Sequence, residues 1–445
     1  MTRSEYSILG VTTIGHCLCH WSVLIVTGLL VTLQREFGLT EFWVTALPLT
    51  GYVLMGVGAV PAGIMADRWG PRRVLLVYFV LTGLACGAAA VAPNAWALAA
   101  ALTALGAAVS LYHPTGLALI SHGIRMRGQA LGIHGVAGAI GLGGSSFGLW
   151  MASLGSWRAA YAIVAVVALA AGSALWWLPT RTEGRTTPAP PDVPRCRRCR
   201  HPLADVSGPR CPACGTPFDP ADRPGAVGMD RRALRLLLLL YLAMMLSGFN
   251  YRSFMTALPT YLTARGPGHY AGEGHGGAVL AVFLIGGIGQ FFGGRLADRR
   301  NAVRLYVALV ALSIPLALLL AASAGIGPWA AVAAMGLAAA HFSTQPVENL
   351  LIARHTPARF RSTSYGIKFL VTFGLGALGA PVVGFLWRTT GTLAWTFVLF
   401  ALVGLFVTAI VLGLVRAVGR HEAEPLASAP ASSLKPAPGA SGGRS

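Results

Sequence analysis

The chain has 445 residues, of which 55% are hydrophobic and only 11% are charged, and its formal net charge is +19. A soluble globular protein has about 25% charged residues, so we expect most of this surface to face lipid rather than water. The arginines lie in short segments between apolar runs, which is the pattern of topology signals and of contact with anionic lipid. Composition therefore excludes a soluble globular class and argues against a nucleic-acid partner.

Twelve apolar segments are each near the roughly 20 residues that a helix needs to cross a bilayer. They are rich in Leu, Ala, Val and Gly without strict alternation, which favours helices over barrel strands. The predicted spans, numbered in chain order, are residues 8–33, 43–66, 73–92, 95–120, 129–153, 157–178, 233–263, 275–297, 303–324, 328–354, 364–389 and 393–416. The first is too long for a signal-peptide core, so we expect it to be retained. The sequence predicts an all-α membrane protein with twelve transmembrane helices.

Arginines are concentrated in alternate connections between these spans. One set of connections carries Arg68, Arg72, Arg73, Arg125, Arg127, Arg299, Arg300, Arg304, Arg354, Arg359, Arg361, Arg416 and Arg420. The other set carries only Arg35, Arg158, Arg265 and Arg388. By the positive-inside rule the first set is cytoplasmic, which puts both termini inside the cell. We expect the protein to lie in the inner (plasma) membrane.

Composition divides the chain into four parts. Residues 1–180 form a first half with six helices, and 231–418 form a second half with six helices. Between them, 181–230 is a cytoplasmic loop rich in Pro and Arg with a cysteine cluster, and 419–445 is a tail that we expect to be disordered. We expect a monomer.

Three short motifs of the first half recur in the same order in the second half, at offsets of 231 to 234 residues. The pairs are GIMADR at 63–68 with GRLADR at 294–299, His113-Pro114 with Gln345-Pro346, and Gly132-Ile133-His134 with Gly366-Ile367-Lys368. Internal repeats of this kind build transporters that work by alternating access, with the substrate bound between the halves. The fold is therefore predicted to be two six-helix pseudo-repeats.

The loop after span 2, GIMADRWGPRR at 63–73, resembles the signature loop of the major facilitator superfamily. Its glycine allows close helix packing, and an aspartate near a helix end can pair with arginines or with a helix terminus. In that family the loop latches the two halves in the outward-open state, which implies this role for Gly63, Asp67 and Arg68. The resemblance extends the role to the second copy, Asp298 and Arg299, although Arg300-Asn301 replaces the Trp-Gly step there.

Further stretches resemble the fosmidomycin-resistance branch of this superfamily. They are Gly15-His16 in span 1, Tyr112-His113-Pro114 in span 4 and RGQALG at 127–132 entering span 5. Drug/proton antiporters of the superfamily usually carry a Gly-Pro step in the fifth helix, and here span 5 reads GGSSFG at 143–148. The superfamily resemblance covers the chain except 179–232 and the tail.

Charged residues inside a bilayer are costly and are candidates for function. Glu348 in span 10 is the only carboxylate well inside a predicted span, and Lys368 in span 11 lies at similar depth. The two can pair, either as a structural ion pair or as a pair that breaks on protonation or substrate binding. Arg252 in span 7 has a guanidinium suited to carboxylate or phosphate-like groups, or else bonds backbone carbonyls. The excess of positive charge favours an anionic substrate.

Four histidines lie in the predicted spans of the first half: His16, His20, His113 and His134. His16 and His20 are four residues apart, so they share one helix face and can bind metal or relay protons. The alternative for each is a hydrogen-bonding core residue. By the internal repeat, His134 occupies the position that Lys368 occupies in the second half.

Two C-x-x-C steps, Cys196–Cys199 and Cys211–Cys214, lie in the central loop and are separated by eleven residues. Four thiolates in this arrangement suit tetrahedral zinc, and a cytoplasmic loop does not favour disulfides. The segment resembles a zinc ribbon with a structural zinc, and the alternative is a metal-free cysteine-rich linker.

The sequence leaves several functions open. The first hypothesis is a secondary transporter that exports a small anionic or amphipathic compound in exchange for protons. The second is an uptake permease for an organic anion, and the third is a membrane sensor on the same scaffold. We expect that the protein is not an enzyme and binds no organic cofactor, because the sequence shows no nucleophile–base pair and no catalytic metal site.

Overall fold

The computed structural model describes residues 1–178, 231–263, 276–323 and 327–422, and they are almost entirely helical. The first half contains α1 (Arg3–Gly28), α2 (Leu30–Phe37), α3 (Glu41–Ala46), α4 (Leu49–Val57), α5 (Ala59–Trp69), α6 (Pro71–Ala90), α7 (Ala95–Ser110), α8 (Tyr112–Gly123), α9 (Arg127–Gly141), α10 (Gly144–Ser153) and α11 (Trp157–Trp177). The second half contains α12 (Arg231–Thr263), α13 (Gly276–Arg299), α14 (Ala302–Ala322), α15 (Gly327–His355), α16 (Arg361–Phe369), α17 (Gly379–Thr390) and α18 (Ala394–Glu422).

Nine of the described helical segments are long and apolar enough to cross a membrane. A tenth is the pair Phe42–Val57 and Ala59–Trp69, which is bent by 46°. The remaining two predicted spans correspond to α13 and α15. Each of the twelve predicted spans therefore coincides with one helix or with a short series of helices.

Several spans are broken where the sequence analysis predicted continuous helices. Span 2 is interrupted around Pro48 and Gly58, span 4 at Leu111 and span 5 around Gly143. Proline lacks an N–H donor, and glycine lacks a side chain that would stiffen the helix, so such positions kink helices. Hydropathy averaged over a span does not detect such single residues, so the pattern predicts a continuous helix.

Span 11 has the most irregular backbone in the described chain. After α16 the chain forms a π-helical turn at Leu370–Leu375 and a 3₁₀ turn at Gly376–Leu378, and only then does α17 begin. Pro381 near the start of α17 has no N–H to offer the carbonyl four residues earlier. Pro381 is in the first turn of α17, where a helix has no intrahelical acceptor for an N–H, so the helix can begin there without losing a hydrogen bond.

The end of the chain differs from the sequence prediction. Helix α18 continues to Glu422, beyond the predicted end of span 12 at residue 416. Residues 419–422 were predicted to belong to a disordered tail, and they are helical instead. The rest of that tail and the predicted insert at 181–230 lie outside the described residues.

The two halves meet along a few helix pairs that position the candidate site. Helix α9 packs along α13, and α16 packs on both α5 and α8. Glycines permit the closest of these approaches, since a methyl group on Gly132 would lie 2.6 Å from the backbone oxygen of Gln290. The polar groups described below lie beside these contacts.

Candidate functional site

Asp67 joins the first half to the second half at the start of α16. One carboxylate oxygen accepts a hydrogen bond from the backbone N–H of Ser362 at 2.9 Å. The other accepts from the N–H of Thr363 at 2.8 Å and from its hydroxyl at 2.7 Å. A carboxylate here satisfies the free N–H groups of the first helical turn and complements the positive end of the helix dipole.

Asp298 makes the equivalent contact from the second half to a helix of the first half. Its two carboxylate oxygens accept from the N–H groups of Gly128 and Gln129, each at 2.8 Å, at the start of α9. The second copy of the signature loop therefore makes the same kind of contact as the first, despite its altered Arg300-Asn301 step. Arg68 and Arg299 are both exposed beside these contacts.

Gly63 lies one helical turn before Asp67 and brings α5 against α16. A methyl group at this position would lie 2.5 Å from the backbone oxygen of Ser362, so only glycine fits the approach. The aspartate contacts and the glycine approach together hold this end of the two halves closed.

Glu348 and Lys368 form a buried ion pair in the second half. The Lys368 Nζ lies 3.1 Å from Glu348 Oε2, and the two side chains are 5% and 4% exposed. The hydroxyl of Tyr306 donates to the other carboxylate oxygen at 2.8 Å, so both oxygens of Glu348 are occupied. Such a pair is stable only while both charges and their hydrogen bonds are present.

Lys368 also donates a hydrogen bond to Asn349 Oδ1 at 2.6 Å. An ammonium has three N–H groups. Within residues 1–178, 231–263, 276–323 and 327–422, only Glu348 and Asn349 accept hydrogen bonds or ion pairs from this ammonium. One N–H of Lys368 therefore has no acceptor among those residues.

Tyr306 and Asn349 were missed by the sequence analysis. Neither carries a charge, and hydropathy treats a single polar group in an apolar helix as background. The available signal was that Tyr306 is the one aromatic residue in predicted span 9, and that Asn349 follows Glu348 directly in an apolar span.

Arg252 does not join the pair. Its side chain lies exposed on α12, and within the described part of the chain it makes no hydrogen bond or ion pair. The structure thus brings together Glu348 and Lys368 and places the candidate anion-binding residue Arg252 apart from them.

The four histidines of the first half come together in one group, which we call the histidine cluster: His16, His20, His113 and His134. His16 Nδ1 lies 2.6 Å from the backbone oxygen of His134, and the two rings stack with centroids 3.9 Å apart. A carbonyl oxygen only accepts, so Nδ1 of His16 carries the proton and Nε2 is left with a lone pair. His20 Nε2 lies 3.2 Å from that atom and donates to it.

Tyr112 fixes the tautomer of His134. Its hydroxyl donates to the backbone oxygen of Thr12 and lies 2.9 Å from His134 Nε2. Since the hydroxyl has one proton, His134 Nε2 must donate to it. The ring of His134 is therefore held as an acceptor at Nδ1 and a donor at Nε2.

The histidine cluster touches the second half next to the ion pair. The ring of His113 stacks on Phe369, the neighbour of Lys368, with centroids 4.2 Å apart. Close by, the Ser121 and Tyr365 hydroxyls are 2.7 Å apart, and Tyr365 donates to the Asn349 backbone oxygen at 2.9 Å. The polar groups of the two halves are thus linked across their interface.

The predicted zinc ligands Cys196, Cys199, Cys211 and Cys214 lie outside the described residues. The zinc ribbon therefore stays a prediction.

The family model of the Major Facilitator Superfamily matches residues 12–381 and, in a second alignment, residues 240–440. The chain belongs to this superfamily. It is a multi-pass membrane transporter of all-α fold, acts on a small-molecule substrate and is not an enzyme. The predicted fold and the superfamily resemblance are confirmed, whereas the fosmidomycin-resistance branch stays a prediction.

Two relatives have known transport-related names. A gallate transporter of Pseudomonas putida is 26% identical over 375 residues, which are 79% of each chain. A multidrug resistance protein B homologue of Mycobacterium tuberculosis is 30% identical over 169 residues, which are 36% of this chain and 31% of that protein.

Solved structures share the fold at low identity. A proton:xylose symporter superposes with a TM-score of 0.68 at 15% identity, over 92% of this chain and 95% of that one. A human organic anion transporter also gives a TM-score of 0.68 at 15% identity, over 92% and 99% of the two chains.

Proposed function

We propose that the protein is a proton-coupled transporter of a small organic anion, with Lys368 as the anion-binding group and Glu348 as the proton-binding group. The observation that carries the proposal is the buried pair of these two side chains, 3.1 Å apart, beside the interface of the halves. The division into halves at 1–180 and 231–418, location in the inner membrane with both termini cytoplasmic, and a monomeric state belong to the same proposal.

The ion pair supports a particular direction of coupling. While Glu348 is ionised it neutralises Lys368, so an anion must compete with a carboxylate that is already in place. Protonation of Glu348 removes that competitor and leaves the ammonium free to bind the anion. Proton and anion then favour each other's binding, and linkage makes this coupling reciprocal. A carrier that binds both together moves both in the same direction.

Binding of proton and anion together favours uptake over export by proton exchange. Exchange requires proton and substrate to exclude one another, which is the opposite linkage. The similarity to a gallate transporter supports an anionic substrate, because gallate is the anion of an aromatic acid. Export of an amphipathic compound remains the second candidate and is supported by the similarity to a multidrug resistance protein.

Lys368 has the donors to hold such an anion. Its third N–H has no acceptor in the described part of the chain, and its ammonium lies 5.8 Å from the ring centroid of Phe369. A carboxylate bound at the ammonium would thus lie near the ring of Phe369. The ring of His113, which stacks on Phe369, extends this aromatic surface. This arrangement suits an aromatic or otherwise flat organic acid.

The test uses the purified protein in proteoliposomes with radiolabelled gallate. With acid outside, the wild type should accumulate gallate, and the Glu348→Gln variant should exchange gallate across the membrane without accumulating it. Lys368→Gln should lose gallate binding at every pH. The matched control is Glu36→Gln. It removes a carboxylate that pairs with Arg158 at 2.7 Å, in a part of the protein outside the site, and it should leave accumulation unchanged.

Two results would contradict the proposal. If Glu348→Gln accumulates gallate with an unchanged pH dependence, the pair is structural and the proton path lies elsewhere. If gallate moves only against a proton flux in the opposite direction, the protein exchanges rather than cotransports, and the export hypothesis takes precedence.

A further inference from the structure

The histidine cluster contains three imidazole nitrogens that converge on one point. One ligand nitrogen from each of His16, His20 and His113 lies within 4.8 Å of the others. The Nε2 atoms of His16 and His20 are 3.2 Å apart. Two nitrogens bound to one tetrahedral Zn²⁺ at about 2.0–2.1 Å are separated by about 3.3 Å. The distance between the His16 and His20 nitrogens therefore already suits two ligands of one zinc ion.

The tautomer of His16 prepares it as a ligand. Its Nδ1 proton is committed to the backbone oxygen of His134 at 2.6 Å, which leaves the Nε2 lone pair directed at His20. Metal-binding histidines characteristically donate the other ring N–H to a carbonyl or carboxylate, which fixes the ring and raises its basicity. His16 makes this second contact to the backbone oxygen of His134.

His113 supplies an independent observation that points to a missing partner. The residue is 4% exposed, and its Nδ1 has no hydrogen-bond partner among the described residues. An unpartnered polar atom in the protein interior is energetically unfavourable, because it loses its hydrogen bonds to water and gains none from the protein. An ion bound at Nδ1 would give this atom the partner that it lacks.

We propose that His16, His20 and His113 bind a divalent transition-metal ion of borderline softness, such as Zn²⁺, within the first half. On binding, the ion takes the place of the proton that His20 Nε2 donates to His16, and the His20 proton moves to Nδ1. Three neutral imidazoles leave a fourth position open, as in catalytic zinc sites. The Cys19 Sγ lies 3.7 Å from Nε2, the other ring nitrogen of His113, and this contact helps to orient the ring.

All three ligands come from α1 and α8, so the ion moves with the first half during transport. It is distinct from the proposed zinc in the central loop and from the ion pair at Lys368. It does border that pair, because His113 also stacks on Phe369 of α16. An ion that fixes the His113 ring therefore stabilises the closed contact between α8 and α16.

The experiment measures metal binding by the full chain in detergent, in a background with Cys196, Cys199, Cys211 and Cys214 replaced by serine. This background removes the other predicted zinc site. Equilibrium dialysis against Zn²⁺ should give about one ion per chain, and Co²⁺ should show the visible absorption of four-coordinate cobalt. His16→Gln, His20→Gln and His113→Gln should each weaken binding by roughly tenfold or more.

His341→Gln is the matched control, because His341 is also a buried histidine, 6% exposed, but lies in the second half away from the cluster. It should leave the affinity unchanged. His113→Cys keeps a metal ligand and should retain binding even if the glutamine variant folds poorly. A metal content no higher than that of the detergent blank would overturn the proposal, as would equal binding by the wild type and the three cluster variants.

Discussion

Asp67 and Asp298 occupy equivalent positions in the two halves, and each caps the first turn of a helix from the other half. The residues that they cap, Ser362–Thr363 and Gly128–Gln129, are themselves related by the internal repeat. The closed end of the transporter is therefore held by two copies of one contact, related by the pseudo-symmetry of the chain.

Replacing Asp67 by Asn should shift the equilibrium toward opening of this end. An amide offers one acceptor where the carboxylate offers two, and its NH₂ would face the donors of Thr363. Loss of a helix cap costs about 1 kcal/mol, so we expect a roughly fivefold shift in population, slower turnover and unchanged gallate affinity. Asp298→Asn should have the same effect, and the two should add. Parallel loss of binding and transport would instead place Asp67 in the ligand site.

Gly63→Ala should oppose closure through steric overlap with α16. The added methyl would lie 2.5 Å from the Ser362 backbone oxygen, and overpacking of this kind costs about 1–3 kcal/mol. A cysteine at Ser121, which is fully buried between the halves, should become reactive to a maleimide in this variant, in a background lacking the four loop cysteines. Gly384→Ala is the control, because it gains the same helix propensity with nothing within 4 Å. Equal reactivity in both variants would contradict the assignment.

Glu348 and Lys368 should be strongly coupled in their effect on stability. Removing one member of a buried pair leaves the other charge uncompensated and costs about 3–5 kcal/mol. Glu348→Gln and Lys368→Gln should each lower the apparent Tm in detergent, measured at one scan rate. The double variant should lose less than the two single losses combined. Simple additivity of the losses would show that the two charges do not stabilise each other.

Zinc in the central loop is tested by metal analysis in a His20→Gln background, which removes the proposed second site. The paired C-x-x-C steps predict about one zinc per chain. Cys211→Ser should abolish it, and Cys86→Ser, at a cysteine buried in α6, should not. A zinc content far below one per chain, unaffected by Cys211→Ser, would favour the metal-free linker.

The sequence predicted the number and order of spans because each requires only a long apolar run, and that property survives without any tertiary detail. It also placed Glu348 beside Lys368, since depth along antiparallel helices can be counted from their ends at 1.5 Å per residue. It could not predict the isolation of Arg252, because the direction in which a helix faces depends on neighbours that hydropathy does not encode.

The histidine cluster shows the same limit on what can be predicted from sequence. The four-residue spacing placed His16 and His20 on one face, but contact with His113 and His134 depends on how α8 and α9 pack on α1. The tautomers depend further on backbone carbonyls and on Tyr112, which no pattern of side chains specifies. Tyr306 was invisible for a related reason, because its hydroxyl matters only once α14 faces α15.

The irregular turns between α16 and α17 give span 11 two mechanically separate parts. The inner part, α16, carries Lys368 and packs mainly on α5 and α8 of the first half, whereas the π and 3₁₀ turns and α17 pack mainly on α12 of the second half. Stretches of 3₁₀ helix within a longer helix often mark a hinge, and single π turns are frequent at functional sites. The turns therefore separate a part of span 11 that contacts the opposite half from a part that packs within its own half, and they are where this span bends most readily.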